Sequence, residues 1–221
     1  MSNILTIAYT TEGPTDVRFL KTIIQKVFEE IAFECEGLIE VYEPVHIKFP
    51  KKDTFVNGFV RVSKAAKASG INVLCIHADA DSNRDDDALE FKIVPGIKAI
   101  NDENNISVCK TIVAIIPVHM TEAWMLADKE LLKEEIGTNL SNTDLGINRS
   151  AESIADPKKI IEDALIIAQQ DLPKRRNKIL IEDLYQPIGQ KISIAKLKSL
   201  DSFNKFELSV KSAFMELNYL H

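Results

Sequence analysis

Three apolar, strand-like runs of the sequence are each followed by acidic side chains. Glu12 follows ILTIAY, and Asp16 comes four residues later. Asp79 and Asp81 follow the run VLCI, and Glu122 comes just after TIVAIIP. Ligands of an open α/β sheet bind beyond the carboxyl ends of its strands, so these acids converge if the strands are neighbours. Clustered carboxylates bind hard cations, and a pair of such ions can stabilise both the attacking and the leaving oxygen of a phosphodiester displacement.

Each acid also has a simpler interpretation. An acid in the first turn of a helix complements the helix dipole, which would explain Asp16 by itself. A lone pair of aspartates such as Asp79 and Asp81 is common in solvated loops. The combination is more specific, because small neighbours (Gly13, Ala78 and Ala80) would let a ligand come close. The pattern therefore favours one metal site at the carboxyl edge of a sheet.

The elements that must position these acids alternate along the first half of the chain. Hydrophobic spacing predicts strands at 5–9, 38–49, 73–76 and 111–117, with helices at 15–33 and 55–69 and a further helix in HMTEAWMLAD. Such alternation is typical of an α/β fold with a mostly parallel sheet covered by helices on both faces.

Strand signals stop after about residue 130. Asp156-Pro157 is typical of a helix start, and helices are predicted at 157–170 and 202–217. We therefore expect an α/β domain over residues 1–130 and a helical C-terminal extension over residues 131–221 that packs on it.

Composition limits the cellular setting. No apolar run reaches the roughly 18 residues of a membrane span, and no signal peptide is evident. Three scattered cysteines argue against a disulfide framework and against a zinc site, so a cytoplasmic protein is expected. Residues 1–157 carry 16 basic and 25 acidic side chains, whereas residues 158–221 carry 11 basic and 8 acidic ones. The acidic total does not exclude nucleic-acid binding through the basic C-terminal part.

Taken in order, EGPTD after the first strand and DAD after a later one resemble the TOPRIM domain of topoisomerases, primases and overcoming-lysogenization-defect (OLD) type nucleases. A second acid four residues after the glutamate is most similar to the OLD-type and small stand-alone branch. The stretch IPVHMTEAWMLAD resembles a segment of an uncharacterised bacterial TOPRIM-like family. The resemblance covers roughly residues 4–130 and implies a Rossmann-like TOPRIM core.

The resemblance also implies roles. Glu12 would be a metal ligand or proton-transfer group, and Asp79 and Asp81 would hold Mg²⁺ or Mn²⁺, with two ions expected. Asp16 would match the second acid, although the family more often has glutamate there, and Glu122 would be a further ligand. Water activated by metal would then attack phosphorus in DNA or RNA, which makes the expected protein a nuclease.

Partners follow from the same resemblance and from charge. Stand-alone TOPRIM proteins often accompany ATPases in anti-phage or toxin-like systems, so an ATPase partner is expected on that ground alone. The densest basic run supplies candidate contacts to nucleic-acid phosphates: Lys174, Arg175, Arg176 and Lys178. A solvated charged surface is the simpler interpretation of this run. Lys191 is a further basic candidate, and the oligomeric state stays open.

Two rival functions fit the same residues. The fold could serve as a metal- or partner-binding regulatory module of an ATPase complex without turnover. Alternatively, Asp79 could be the nucleophile of a phosphatase or phosphotransferase of the DxDx(T/V) type, although the fourth residue here is Ser82 and the motif falls late and not at the first strand. Motifs for NTP binding, dinucleotide binding and serine or cysteine nucleophile elbows are absent from the sequence.

Overall fold

A parallel β-sheet forms the centre of the protein. The computed structural model describes residues 3–50, 52–80, 82–103, 107–170 and 178–220. Four strands form one sheet in the order β4-β2-β5-β6, every pair parallel, and β1 pairs with β3 in a second parallel pair. The predicted α/β class with a parallel sheet is confirmed. The strands are β1 (Asn3–Leu5), β2 (Ile7–Thr10), β3 (Ile39–Val41), β4 (Val45–His46), β5 (Val73–His77) and β6 (Ile112–Ile115).

Helices connect the strands and make up most of the C-terminal part. No strand is found within residues 129–170 and 178–220, as predicted. Asp156 accepts a hydrogen bond from Lys159 N at 2.9 Å and Pro157 opens the helix behind it, which confirms the predicted cap. The helices are α1 (Pro14–Ala32), α2 (Phe55–Ala68), α3 (Asp85–Ala88), α4 (Val94–Asp102), α5 (Glu122–Met125), α6 (Lys129–Ile136), α7 (Pro157–Ala168), α8 (Ile181–Lys191), α9 (Ile194–Leu197) and α10 (Asp201–Glu216), with a π-helical turn at Leu89–Ile93 and a 3₁₀ turn at Ala151–Ser153.

The predicted first strand is interrupted at Thr6. Its backbone N–H donates to the side chain of Asn72 at 2.9 Å, and its hydroxyl donates to the carbonyl of Gly70 at 2.8 Å. The interruption splits the run into β1, which pairs with β3, and β2, which pairs with β4 and β5. The predicted strand at 38–49 is likewise two short strands, β3 and β4.

The two faces of the sheet bury separate apolar clusters, because successive strand residues point to opposite faces. Tyr9 and Cys75 face the cluster built on α1, whereas Ala8 and Leu74 face the cluster built on α2. Helices α1 and α2 therefore cover opposite faces, as the alternating pattern predicted.

The C-terminal helices belong to the same core as α1. Tyr185 of α8 and Phe203, Phe206 and Phe214 of α10 are buried in the cluster that contains the apolar stripe of α1. Helix α10 also reaches the edge strand, where Ser209 Oγ accepts from Ala114 N at 3.2 Å. Helices α8 and α10 thus contribute to the core on one face of the sheet. Among the described residues, no helix has the length and apolar character needed to cross a bilayer.

Candidate functional site

The strand order creates a crevice at the carboxyl ends of β2 and β5. After β2 the chain passes through α1 to β4 on one side, then through α2 to β5 on the other side of β2. Its path therefore reverses between β2 and β5, with α1 and α2 on opposite faces. Ligands of doubly wound sheets bind at such switch points, because the loops diverge there. Glu12 follows β2, and Asp79 follows β5.

Glu12 and Asp79 are connected by Lys92, a residue that the sequence did not indicate. The Lys92 ammonium lies 3.3 Å from Glu12 Oε1 and donates to the Asp79 carbonyl oxygen at 3.0 Å. Lys92 belongs to the π-helical turn Leu89–Ile93, a conformation found frequently at functional sites. The Glu12 side chain is 40% exposed, so this ion pair contributes little to stability. Its effect is to place a positive charge at the mouth of the crevice.

Asp16 is both a helix cap and a member of the acidic cluster. Its Oδ2 accepts from the backbone N–H of Gly13 at 3.0 Å, which is the capping role considered from sequence. The side chain is nevertheless buried, and burial raises the pKa of its carboxyl. The positive charge of His77 and the Thr121 hydroxyl oppose this rise in pKa, and the negative charge of Asp79 adds to it. Asp16 therefore faces the same interior as Asp79.

His77 lies at the end of β5 beneath these acids. The Nε2 atom is 3.1 Å from the hydroxyl of Thr121 and 3.3 Å from Asp79 Oδ1. Burial lowers the pKa of His77, but Asp79, Asp16 and Glu12 outweigh burial and raise it above its ordinary value. The sequence predicted a core histidine with its polar atoms satisfied. The ring is buried as predicted, but its Nδ1 has no hydrogen-bond partner among the described residues.

Glu122 reaches the cluster from α5. It is buried and accepts a hydrogen bond from the hydroxyl of Tyr185, a residue of α8. Burial raises the pKa of the Glu122 carboxyl, and the charges of Asp16 and Asp79 raise it further, while the bond from Tyr185 lowers it. Burial and Glu122 also raise the pKa of Tyr185. The C-terminal helices thus supply a direct partner of one acid.

The structure therefore brings together four of the five acids predicted from sequence. Asp16, Asp79 and Glu122 form an inner group, in which the charge of Asp79 raises the pKa of both Asp16 and Glu122, and Glu12 lies at the more exposed rim. Asp81 falls outside the described residues.

Most of the basic residues predicted to bind nucleic acid, Lys174, Arg175 and Arg176, also fall outside the described residues. Lys178 is exposed just ahead of α8, and Lys191 pairs with Glu135. In the part of the chain that the structure describes, Lys92 is the basic residue that contacts Glu12.

The donor set fits a divalent cation that keeps most of its own waters. Within the described residues, no group of three His, Cys, Asp or Glu side chains is arranged to hold one metal ion. Mg²⁺ needs only one or two carboxylates, together with water and substrate phosphate, and Mn²⁺ also prefers oxygen ligands. Asp79 Oδ1 is buried, and its contact with His77 Nε2 at 3.3 Å does not have the geometry of a hydrogen bond, so this oxygen could still bind a cation. Asp79 and Glu12 are the carboxylates that could hold such a cation.

A crevice of about 750 Å³ opens beside Glu12, Gly13, His77 and Lys92. This volume lies within the range of small-ligand sites in proteins. A Cβ added to Gly13 would lie 2.8 Å from Asp16 Oδ2, so a side chain at this position would displace the capping carboxylate. Glycine also keeps the backbone open to an approaching ligand, as expected from sequence.

Comparison with known proteins adds no relative. No family model, curated protein sequence or solved structure matches the chain. The chemistry of the site is therefore inferred from the strand ends, the acids and the crevice themselves.

We expect Asp16→Asn to raise the melting temperature of the metal-free protein near neutral pH by about 2–4 °C, the shift that ~1 kcal/mol gives in a chain of this size. The folded-state pKa of Asp16 is raised, so its contribution to stability is complete below its ordinary pKa and is lost as pH rises through the raised value. Asparagine keeps an oxygen for Gly13 N but carries no buried charge. Thermal melts in EDTA should show a difference in melting temperature between Asp16→Asn and the wild type that disappears below about pH 4.

Asp183→Asn is the matched control for this measurement. Asp183 occupies the same place in the first turn of α8 and accepts from Leu180 N at 2.9 Å, but it is exposed, so its replacement should bring no gain in stability at any pH. If Asp16→Asn lowers the melting temperature equally at every pH, the capping role outweighs charge burial and the expectation is wrong.

Proposed function

We propose that this chain is a Mg²⁺- or Mn²⁺-dependent nuclease that hydrolyses phosphodiester bonds of DNA or RNA. The observation that carries the proposal is the meeting of Glu12 and Asp79 at the switch point of a parallel sheet, where Asp79 Oδ1 contacts His77 Nε2 at 3.3 Å without accepting a hydrogen bond from the described residues. The resemblance of EGPTD and DAD to TOPRIM sequences supports the same chemistry.

A divalent cation at Glu12 and Asp79 would stabilise charge on a phosphate oxygen and make a nearby water more acidic. The exposed carboxylate of Glu12 is suited to accept the proton of the attacking water, since it lies at the rim of the crevice. Lys92 sits beside Glu12 and next to the Asp79 backbone, where its ammonium can pair with a phosphate oxygen. Gly13 leaves room for that phosphate.

The inner acids have a supporting role in this proposal. Asp16 and Glu122 are buried, and each is held by a hydrogen bond, from Gly13 and Tyr185 respectively. The bond between Asp16 and Gly13 limits movement of the loop that carries Glu12. A cation in the crevice would favour the charged forms of Asp16 and Glu122, whose pKa values are raised by burial. An ATPase partner and a role in anti-phage defence are part of the proposal through the TOPRIM resemblance only.

The direct test is an assay of the purified chain against end-labelled single-stranded DNA, duplex DNA and tRNA with Mg²⁺, Mn²⁺ or EDTA. We expect cleavage of at least one substrate with a divalent cation and none in EDTA. Absence of cleavage under every condition, alone and with an ATPase encoded beside it, would contradict the nuclease proposal. Turnover of a phosphomonoester with phosphate trapped on Asp79 would favour the phosphatase alternative instead.

A further inference from the structure

The outer wall of the crevice contains aromatic rings that the acidic site does not use. The wall includes residues 48–50, which follow β4, and Phe55 at the start of α2. The rings of Phe49 and Phe55 are stacked, with centroids 5.1 Å apart and an interplanar angle of 30°. Both rings are half-buried, so each still has surface facing the crevice. A partly exposed aromatic pair beside a polar site is suited to a flat ligand.

These rings are held in place by the packing beneath them. A Cβ added to Gly58 would lie 2.6 Å from the ring of Phe49, so this ring rests directly on the backbone of α2. Phe55 makes an edge contact with the buried ring of Phe59 at 6.2 Å. A ring fixed in this way loses little freedom when a ligand stacks on it, which favours binding.

A third ring and a basic side chain complete the wall. His46 is exposed, and its ring lies 5.3 Å from that of Tyr9, whose hydroxyl donates to the Val17 carbonyl at 3.1 Å. Partial burial lowers the pKa of His46, so its ring is mainly neutral at pH 7. Lys48 is exposed beside it, two residues beyond the end of β4. The wall thus offers flat apolar faces and a positive charge in the same crevice as Lys92.

We propose that the crevice binds one unstacked nucleotide of a single-stranded nucleic acid, with its base against Phe49 and Phe55 and its flanking phosphates at Lys48 and Lys92. A base inside a duplex has both faces covered by its neighbours, so an aromatic wall selects a base that has left the stack. The volume of about 750 Å³ suits one nucleotide and not a double helix. This inference rests on the proposed nuclease function, because it identifies the substrate of the same site.

The experiment measures binding separately from cleavage. Fluorescence anisotropy with labelled single-stranded DNA, single-stranded RNA and a blunt duplex of the same sequence is recorded in EDTA, and again on the Asp79→Asn protein in Mg²⁺. We expect a single strand to bind at least about tenfold more tightly than the duplex, and Phe49→Ala to weaken single-strand binding by about tenfold. The DNA and RNA arms show which sugar the site accepts.

Matched variants separate stacking from general effects. Phe33→Ala removes the same side chain from a site that is 91% exposed at the other end of α1, about 28 Å along the helix, and should leave binding unchanged. Phe49→Leu retains apolar volume over Gly58 but has no aromatic face, so it should also weaken binding while the protein stays folded. Equal affinity for duplex and single strand, or Phe49 variants that bind as Phe33→Ala does, would overturn the inference.

The proposed contact between Lys48 and a phosphate is tested by the salt dependence of binding. Lys48→Gln should reduce the slope of log affinity against log salt concentration by about one, whereas Lys158→Gln on the exposed surface of α7 should not. An unchanged slope in Lys48→Gln would remove Lys48 from the proposed site.

Single-strand binding without metal-dependent cleavage would contradict the proposed nuclease and leave this inference standing. Metal-dependent cleavage together with unchanged binding by the Phe49 variants would overturn this inference and leave the proposed nuclease standing.

Discussion

Asp79→Asn is expected to lower metal-dependent cleavage by about a thousandfold, which corresponds to ~4 kcal/mol of transition-state stabilisation. Asparagine has nearly the same shape, so the protein should fold, but it lacks the charge that a divalent cation requires. The Asp79 Oδ1 atom lies 3.3 Å from His77 Nε2, so asparagine removes the negative charge of this ion pair but keeps an oxygen of similar position. Glu12→Gln should have a comparable effect, because Glu12 is the other carboxylate at the switch point and the group suited to take up a proton.

Asp163→Asn provides the control for this comparison. Asp163 pairs with Lys159 one helical turn away on the surface of α7, far in sequence from the crevice. Its replacement should leave the cleavage rate within about twofold of the wild-type rate, because exposed pairs of this kind contribute little. Circular dichroism and melting curves in EDTA would verify that all three variants are folded. An Asp79→Asn protein that keeps more than a tenth of the wild-type rate would exclude Asp79 as an essential ligand.

The sequence predicted the positions of the acids better than the contacts that hold them. Strand runs ending at Glu12 and Asp79 were recognisable because apolar strands leave a local pattern. Their meeting depended on β2 and β5 being neighbours, and the strand order depends on long-range packing that no local pattern contains. The split of the first strand at Thr6 has the same origin, since it depends on the side chain of Asn72, 66 residues away.

Lys92 and Tyr185 show why part of the site was missed. Lys92 lies 80 residues from Glu12 in sequence, within a turn whose residues have no distinctive spacing. Tyr185 reaches Glu122 across 63 residues, and only because α8 packs against α1. The helix predicted for HMTEAWMLAD is also shorter than expected, since only Glu122–Met125 are helical before α6 begins at Lys129. The local patterns of a single sequence predict helices and strands, but they do not predict which helices pack against one another.

The packing of α8 against α1 is the basis of the second prediction, a loss of stability in Gly189→Ala. Gly189 is buried on α8 against α1, and an added Cβ would lie 3.0 Å from the Cα of Phe19 and closer still to its carbonyl oxygen. Backbone atoms inside a helix cannot move aside as a side-chain tip can, so the two helices would have to separate. Overpacking of this kind costs about 1–3 kcal/mol or more, and it opposes a gain of ~1 kcal/mol from the better helix propensity of alanine.

Because the contacts are with backbone atoms, we take the cost at the upper end, ~3 kcal/mol, which leaves a net loss of ~2 kcal/mol. We therefore expect Gly189→Ala to lower the melting temperature by about 4–8 °C, since ~1 kcal/mol corresponds to roughly 2–4 °C at this chain length. Gln186→Ala is the control, because Gln186 is on the exposed side of the same helix and should change the melting temperature by less than about 2 °C. Separation of α8 from α1 would also move Tyr185 away from Glu122, so cleavage should fall together with stability. A Gly189→Ala protein as stable as the wild type would show that α1 and α8 are less closely packed than the structure indicates.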